Sequence, residues 1–323
     1  MLPVYVITSI SRQAKSWKSM FKQNSRIKLN KNYILILFVS AGLFFQSCKT
    51  TQVVKEAFAP EAPEEATYVL SEDVVFPEIE GNYKYLFFRL YNPEYSNPLY
   101  IANILKNGLK ATKTDDVPDL SHASINFTLD DNYYGLTLGG KHQLAEEECA
   151  VPLNNKYMKH CDPERSEQIT YALKVTAEEY ENTKAFVERY AEGTDIKYAS
   201  GLNFKIAFFT IGKKFFTSKD HQQFGTIIYP KSAKNKKVDK EDEDDYDNNF
   251  VCSTFIGYVL YNNVESTSEF FDENDIKYEY LNVTDLSLIP GMTALFYSTW
   301  ASYPEAARAF VEEYPEFNEY LSN

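Results

Sequence analysis

Alternation is cleanest over residues 120–129, where Ala123, Ile125, Phe127 and Leu129 share one side and His122, Ser124, Asn126 and Thr128 the other. A period of two predicts a strand with His122 on its polar face. Asp130, Asp131 and Asn132 then supply a turn, and Tyr133 to Leu138 returns as the second strand of a hairpin. In that return strand Leu136 and Leu138 share a face, which leaves Tyr133, Gly135 and Thr137 on the other. The aromatic run Tyr83 to Tyr91 predicts a buried strand, and Gln168 to Val175 alternates as another. Thr176-Ala177-Glu178-Glu179 is a capping box, and Tyr180, Thr183, Val187 and Tyr190 keep helical spacing behind it up to Gly193.

Further on, Phe255, Ile256, Val259 and Leu260 fall on one helical face, so a helix is predicted to begin near Cys252 and bury that face. The remaining expectations are coarser. Pro98 to Leu109 reads as a short helix ended by Gly108, Gly139 to Glu167 as irregular, and Leu202 to Phe216 as helix or strand. Ile276 to Val283 reads as a strand, Thr284 to Leu286 as a short turn and Thr293 to Tyr297 as the last strand. Pro304 to Tyr320 reads as a terminal helix interrupted at Pro315.

Charge divides the chain. Residues 1–47 hold seven of the 33 Lys and Arg and none of the 46 Asp and Glu, so without them the formal charge is −20 instead of −13. Such an acidic body repels phosphate backbones, and nucleic acid is set aside as a partner. Within 1–47 a basic segment precedes the apolar run Tyr33 to Phe45, too short to span a bilayer comfortably, which predicts a secretory signal. Its end, Gln46-Ser47-Cys48, resembles a bacterial lipobox with Phe45 in place of the usual leucine, and Cys48 is read as the lipid anchor. Residues 1–19 precede Met20, from which a signal of ordinary length would begin, so they read as an over-called start. Residues 48–66 form a Pro-, Ala- and Glu-rich tether, and 67–323 the folded domain, interrupted by a charge-segregated loop at 231–248 that is expected to be solvated and flexible. Its acids lack EF-hand spacing.

The chemistry narrows to thiol and imidazole. There is no Gly-x-Ser-x-Gly elbow, no phosphate-binding Gly-Lys-Ser/Thr loop and no His-Glu-x-x-His. Cys149 and Cys161 in an exported chain most simply form a disulfide, although with His142 and His160 they could ligate zinc, or remain two thiols. Their spacing matches no zinc module, and neither a metal nor a cofactor is expected. Cys252 at a helix start would meet unpaired N–H groups and the positive end of the dipole, both of which favour thiolate. The plainer alternative is a packed core cysteine. A nucleophilic thiol needs an imidazole, and His122 is the histidine with a defined strand setting.

These residues carry a resemblance. Ser121-His122-Ala123-Ser124-Ile125 on a hairpin, then Cys252-Ser253-Thr254-Phe255-Ile256 far downstream, resemble the circularly permuted NlpC-type papain-like cysteine hydrolases, in their YiiX-like branch. The likeness spans about residues 80–290, and the strand and capped helix from Gln168 to Gly193 and the Thr284 to Leu286 element look like parts of the same family. It implies an α+β papain-like domain, an antiparallel sheet packed on helices, with Cys252 as nucleophile and His122 as base. The family's third polar residue orients the imidazole; here Thr137 falls at that place, a weak orienter without charge. The implied activity is that of a cysteine peptidase or amidase of the cell envelope, held at the outer membrane by its lipid and cleaving cell-wall peptides. Lipid or ester acyl groups are the alternative substrates, and a non-catalytic binding lipoprotein the alternative role, one that abundant surface tyrosine would favour.

Overall fold

The computed structural model describes residues 67–69, 75–91, 122–130, 132–136, 144–147, 167–192, 196–199 and 234–321. Strands β1 (Thr67–Val69), β2 (Tyr83–Tyr91), β3 (His122–Asn126), β4 (Tyr133–Leu136), β5 (Leu144–Glu147), β6 (Glu167–Thr176) and β9 (Met292–Thr299) form one sheet in the order β1-β9-β6-β2-β3-β4-β5. Every neighbouring pair in it is antiparallel. The short strands β7 (Lys197–Tyr198) and β8 (Asn249–Phe250) pair separately and in parallel. Helices α1 (Ala177–Ala191), α2 (Cys252–Asn263), α3 (Glu265–Glu273), α4 (Val283–Leu286) and α5 (Tyr303–Glu313) pack on this framework. The fold class is therefore α+β, an antiparallel sheet packed on helices.

Residues directly opposite in an antiparallel pair project to the same face, so the register sorts the sheet into rows. Ala123, Leu90, Ile169 and Tyr297 make one row, and all four belong to the core that holds Phe255, Ile256 and Val259 of α2. The opposite face carries Phe87, Ala172 and Phe296, covered by Tyr303, Ala306, Ala307 and Phe310 of α5 and by Phe317 and Tyr320 of the 3-10 turn Pro315–Tyr320. Two faces covered by two helical layers explain why β2 reads as an unbroken apolar run rather than an alternating one.

Local chemistry fixes the helix that frames the site. Thr176 caps α1: its hydroxyl accepts from the Glu179 N–H at 3.2 Å while the Glu179 carboxylate accepts from the Thr176 N–H at 2.9 Å. Tyr180, Thr183, Val187 and Tyr190 are buried, as the helical spacing requires.

Several expectations change. Helix α2 is buried on all sides rather than on one stripe, because the sheet, α1, α3 and the segment 276–286 surround it. Leu144–Glu147, inside the stretch expected to be irregular, is a strand paired to β4. Ile276 to Val283 is not a strand but a loop with a 3-10 turn at Tyr278–Tyr280, in which Tyr278 packs against Tyr258 and Tyr261 of α2. The charged loop, over its described part 234–248, is tied down: Val238 N–H donates to Asn262 Oδ1 at 2.8 Å and Asn235 Nδ2 to the Ile276 carbonyl at 2.6 Å. Surface tyrosine also proves to be core tyrosine, for Tyr85, Tyr91, Tyr133, Tyr171, Tyr258, Tyr278 and Tyr303 are all buried. The expected helix over Pro98 to Leu109 and the element over Leu202 to Phe216 lie outside the described residues.

Candidate active site

Cys252 is the first residue of α2 and is 4% exposed, a thiol at a helix N-terminus inside the core. The two residues after it explain the Cys-Ser-Thr sequence. Ser253 Oγ donates to the Leu281 carbonyl at 2.7 Å, tying the first turn to the segment behind it. Thr254 Oγ1 accepts from the Val251 N–H at 3.0 Å and so closes the entry into the helix. Val251, at the cap position, has no side-chain acceptor to offer the first-turn N–H groups. At the other end Lys237 Nζ reaches the Tyr261 carbonyl and Lys240 Nζ reaches Asn263 Oδ1 at 2.8 Å, placing two cations at the negative pole of the helix.

The chain approaching Cys252 is anchored as firmly. Tyr190 donates its hydroxyl to the Asp247 carbonyl at 2.7 Å, and the Asp247 N–H donates to the Tyr258 hydroxyl at 3.1 Å. Burial raises the Asp247 carboxyl above its ordinary range, opposed by Lys236 and by a hydrogen bond from Tyr278. Burial and the neighbouring Tyr258 push the Tyr190 phenol far up, so it remains a neutral donor to the Asp247 carbonyl.

The direction of α2 decides which end of the sheet Cys252 occupies. Helix α1 starts where β6 ends and β2 begins, with the Ala177 N–H on the Asn82 carbonyl at 3.0 Å. The Glu265 N–H donates to Glu179 Oε1 at 2.8 Å, so the C-terminal end of α2 lies over the first turn of α1. Tyr190 in the last turn of α1 meets Phe255 at 5.4 Å between ring centroids. The two helices therefore run antiparallel, and α1 spans about 22 Å at 1.5 Å per residue. Cys252 is thus carried to the end of the sheet where β2 finishes and β3 begins, and His122 is the first residue of β3. Helix α2 itself packs on β3 and β4.

The thiol and the imidazole share an end of the sheet, but the register separates their faces. Cys252 belongs to the core with Ala123 and Ile125, whereas His122 lies opposite Tyr91 and projects with Ser124 to the other face. His122 is 4% exposed, and its ring meets Tyr91 edge to face at 4.9 Å. The polar face expected for β3 is accordingly not solvated: Ser124 and Asn126 are 0% and 5% exposed. Beside them Arg89 is fully buried, its guanidinium 3.9 Å from the Trp300 ring and 4.4 Å from that of Tyr133. Sequence reasoning passed over Arg89, because one cation inside an apolar run looks like an exposed edge position.

Glu167, the first residue of β6, stands at the same end of the sheet and on the α2 face, since it alternates in phase with Ile169. Burial raises its carboxyl to about 7, partly offset by a hydrogen bond from Tyr297. A carboxyl with a raised folded pKa holds its proton in the native state, so its contribution is full below the unfolded value near 4.5 and is lost as pH rises through about 7. Glu167→Gln is expected to flatten the fall in melting temperature between pH 5 and about 7.5, measured calorimetrically against the parent chain. An equal pH slope in both proteins would refute this assignment.

Thr137, Cys48, Cys149, Cys161, His142 and His160 lie outside the described residues. Among the described residues no group of three or more His, Cys, Asp or Glu is arranged to hold a metal ion, and no helix is long and apolar enough to cross a membrane. The chain matches no family model, no curated protein and no solved structure.

Proposed function

We propose that this chain is a lipid-anchored cell-envelope thiol hydrolase on a permuted NlpC-type, papain-like fold, cleaving an amide of cell-wall peptide through Cys252 and His122. The observation that carries the reading is positional: a cysteine opening a buried helix and a histidine opening the strand beneath it lie at one end of the sheet. At the end of a strand a side chain can reach past the sheet, so the imidazole of His122 has a route around β3 that no mid-strand residue would have. The lipobox-like Ser47-Cys48 supports an anchor at the outer membrane facing the periplasm, where peptidoglycan peptides are the nearest amides.

In the reaction the imidazole takes the Sγ proton and the thiolate forms a C–S bond to the scissile carbonyl carbon. In this reading the Cys252 backbone N–H, in the first turn of α2, donates to the oxyanion. Collapse breaks the C–N bond, and the imidazolium returns its proton to the leaving amine. Water then cleaves the thioester, releasing the acid and restoring the thiol. The same sequence on an ester or lipid acyl group would differ only in its leaving alcohol.

Iodoacetamide labelling of the full chain at neutral pH tests the pair. His122→Ala is expected to slow alkylation of Cys252 by roughly tenfold or more, because the thiolate loses its base. Equal rates in parent and variant would leave Cys252 a packed core thiol. A binding module on the same fold is the second reading, and the register favours it, since His122 projects to the Tyr91 face rather than to that of Cys252.

A further inference from the structure

We infer that residues 234–248 are a strap tied down by charge, whose docking keeps Cys252 buried and whose release admits substrate to it; the inference rests on the thiol hydrolase reading. That reading needs a carbonyl carbon brought within bonding distance of Sγ, and a thiol 4% exposed does not meet one until a neighbouring segment yields. Among the described segments that adjoin α2, most are core. Ala123 and Ile125 of β3, and Tyr278, Leu281 and Val283 behind the helix, are fully buried and costly to move. From Lys234 to Asn249, by contrast, no residue is fully buried, and this stretch leads directly into Phe250, Val251 and Cys252.

The ties of the strap are polar. It starts at the last turn of α2, where Lys237 Nζ reaches the Tyr261 carbonyl, the Val238 N–H reaches Asn262 Oδ1 and Lys240 Nζ reaches Asn263 Oδ1. Within it Lys236 pairs with Asp245, whose second oxygen accepts from the Asp239 N–H at 2.8 Å. Arg189 of α1 lies 3.6 Å from the Glu243 carboxylate and 4.1 Å from the Tyr246 ring. The charge segregation of the segment thus has a use: its lysines meet the negative pole of α2, and its acids meet Arg189 and Lys236. Val238 and Tyr246 are the side chains of the strap that pack on the core, and both are only partly buried. Exposed ion pairs are weak singly and are screened as the Debye length falls from about 10 Å at 0.1 M salt to about 3 Å at 1 M. Few buried apolar contacts and many exposed polar bonds place a segment at the low-energy end of local opening. Lifting the strap breaks the bonds of Asp247 with Tyr190 and Tyr258 and frees the chain entering α2, with buried Phe250 as the fixed point.

The test follows iodoacetamide labelling of the full chain, read at Cys252 by peptide mass, at about 0.1 M and about 1 M NaCl in the parent, Lys236→Met and Arg189→Met. The parent is expected to label about fivefold faster at the higher salt with its melting temperature unchanged. Each variant lacks one tie of the strap and is expected to label about threefold faster than the parent at the lower salt and to respond less to added salt. Neither substitution alters a residue of α2. Labelling indifferent to salt and to both substitutions, with His122→Ala still slow, would overturn the strap and leave the dyad standing. Faster labelling matched by a lower melting temperature would trace the exposure to global unfolding and also overturn it. A salt response that persists while His122→Ala labels at the parent rate would uphold the strap as the cover of the thiol and remove the hydrolase reading.

Discussion

Cys252→Ala is expected to reduce hydrolysis of peptidoglycan peptide amides by on the order of 10³-fold or more, with the fold unchanged. The size follows from the role: without the thiol no acyl-enzyme forms, and single removals of a nucleophile leave only the contribution of binding and the oxyanion donor. The fold should tolerate the change because alanine keeps helix α2 starting at the same place, and the ties of Ser253 to Leu281 and Thr254 to Val251 do not involve the sulfur. Release of free amine or carboxyl from purified peptidoglycan fragments, followed chromatographically, measures the loss. A panel that includes acyl esters separates the two substrate classes. Turnover by the alanine variant at the parent rate would remove Cys252 from the chemistry altogether.

Gly257→Val is expected to be the most destabilising single substitution in α2. A Cβ at this position would come within 2.4 Å of Leu281 Cδ1 and 3.2 Å of Tyr278 Cβ. The glycine lets the helix approach the segment Tyr278 to Leu281, the same segment that receives the Ser253 hydrogen bond. Its backbone is ordinary helix, so the requirement is for space and not for conformation. Overpacking of this kind costs about 1–3 kcal/mol, and a branched side chain against a fully buried leucine belongs at or above the top of that range. Urea unfolding with an unchanged slope and a lowered midpoint would register it. Gly257→Ala should show a smaller loss, since the Leu281 side chain can yield to one methyl. Equal stability of the valine variant would mean that the segment moves freely away from α2.

Much of this architecture was legible because local and tertiary preferences agree. The aromatic strand at Tyr83–Tyr91, the strand and capped helix from Glu167 to Ala191 and the helix starting at Cys252 fall where pattern and capping chemistry put them. What failed to show had a physical cause in each case. Ile276 to Val283 alternates well enough for a strand, yet Tyr278 packs against Tyr258 and Tyr261 of α2, and packing took precedence over propensity. Helix α3 carries Ser266, Thr267 and Ser268 in its first turn, weak helix formers whose helical state is supported by the burial of Thr267, Ser268 and Phe271. The polar side of β3 read as a solvent face because nothing in a single strand announces that Tyr91 and Arg89 of β2, with Trp300 beyond them, will lie against it. For the candidate site, the setting of Cys252 at a helix start and of His122 on a strand was readable, but their relation was not, since it depends on the register with β2 and on the antiparallel course of α1 and α2.

Strand β9 lies between β1 and β6, and the Leu129 N–H is satisfied by the Tyr320 carbonyl at 2.7 Å. A sheet whose second position is filled by a strand so far along the chain from its neighbours cannot close until that strand has joined it. Pairings this remote make the search slow and leave the aromatic strands uncovered until β9 and the segment at Tyr320 have joined them.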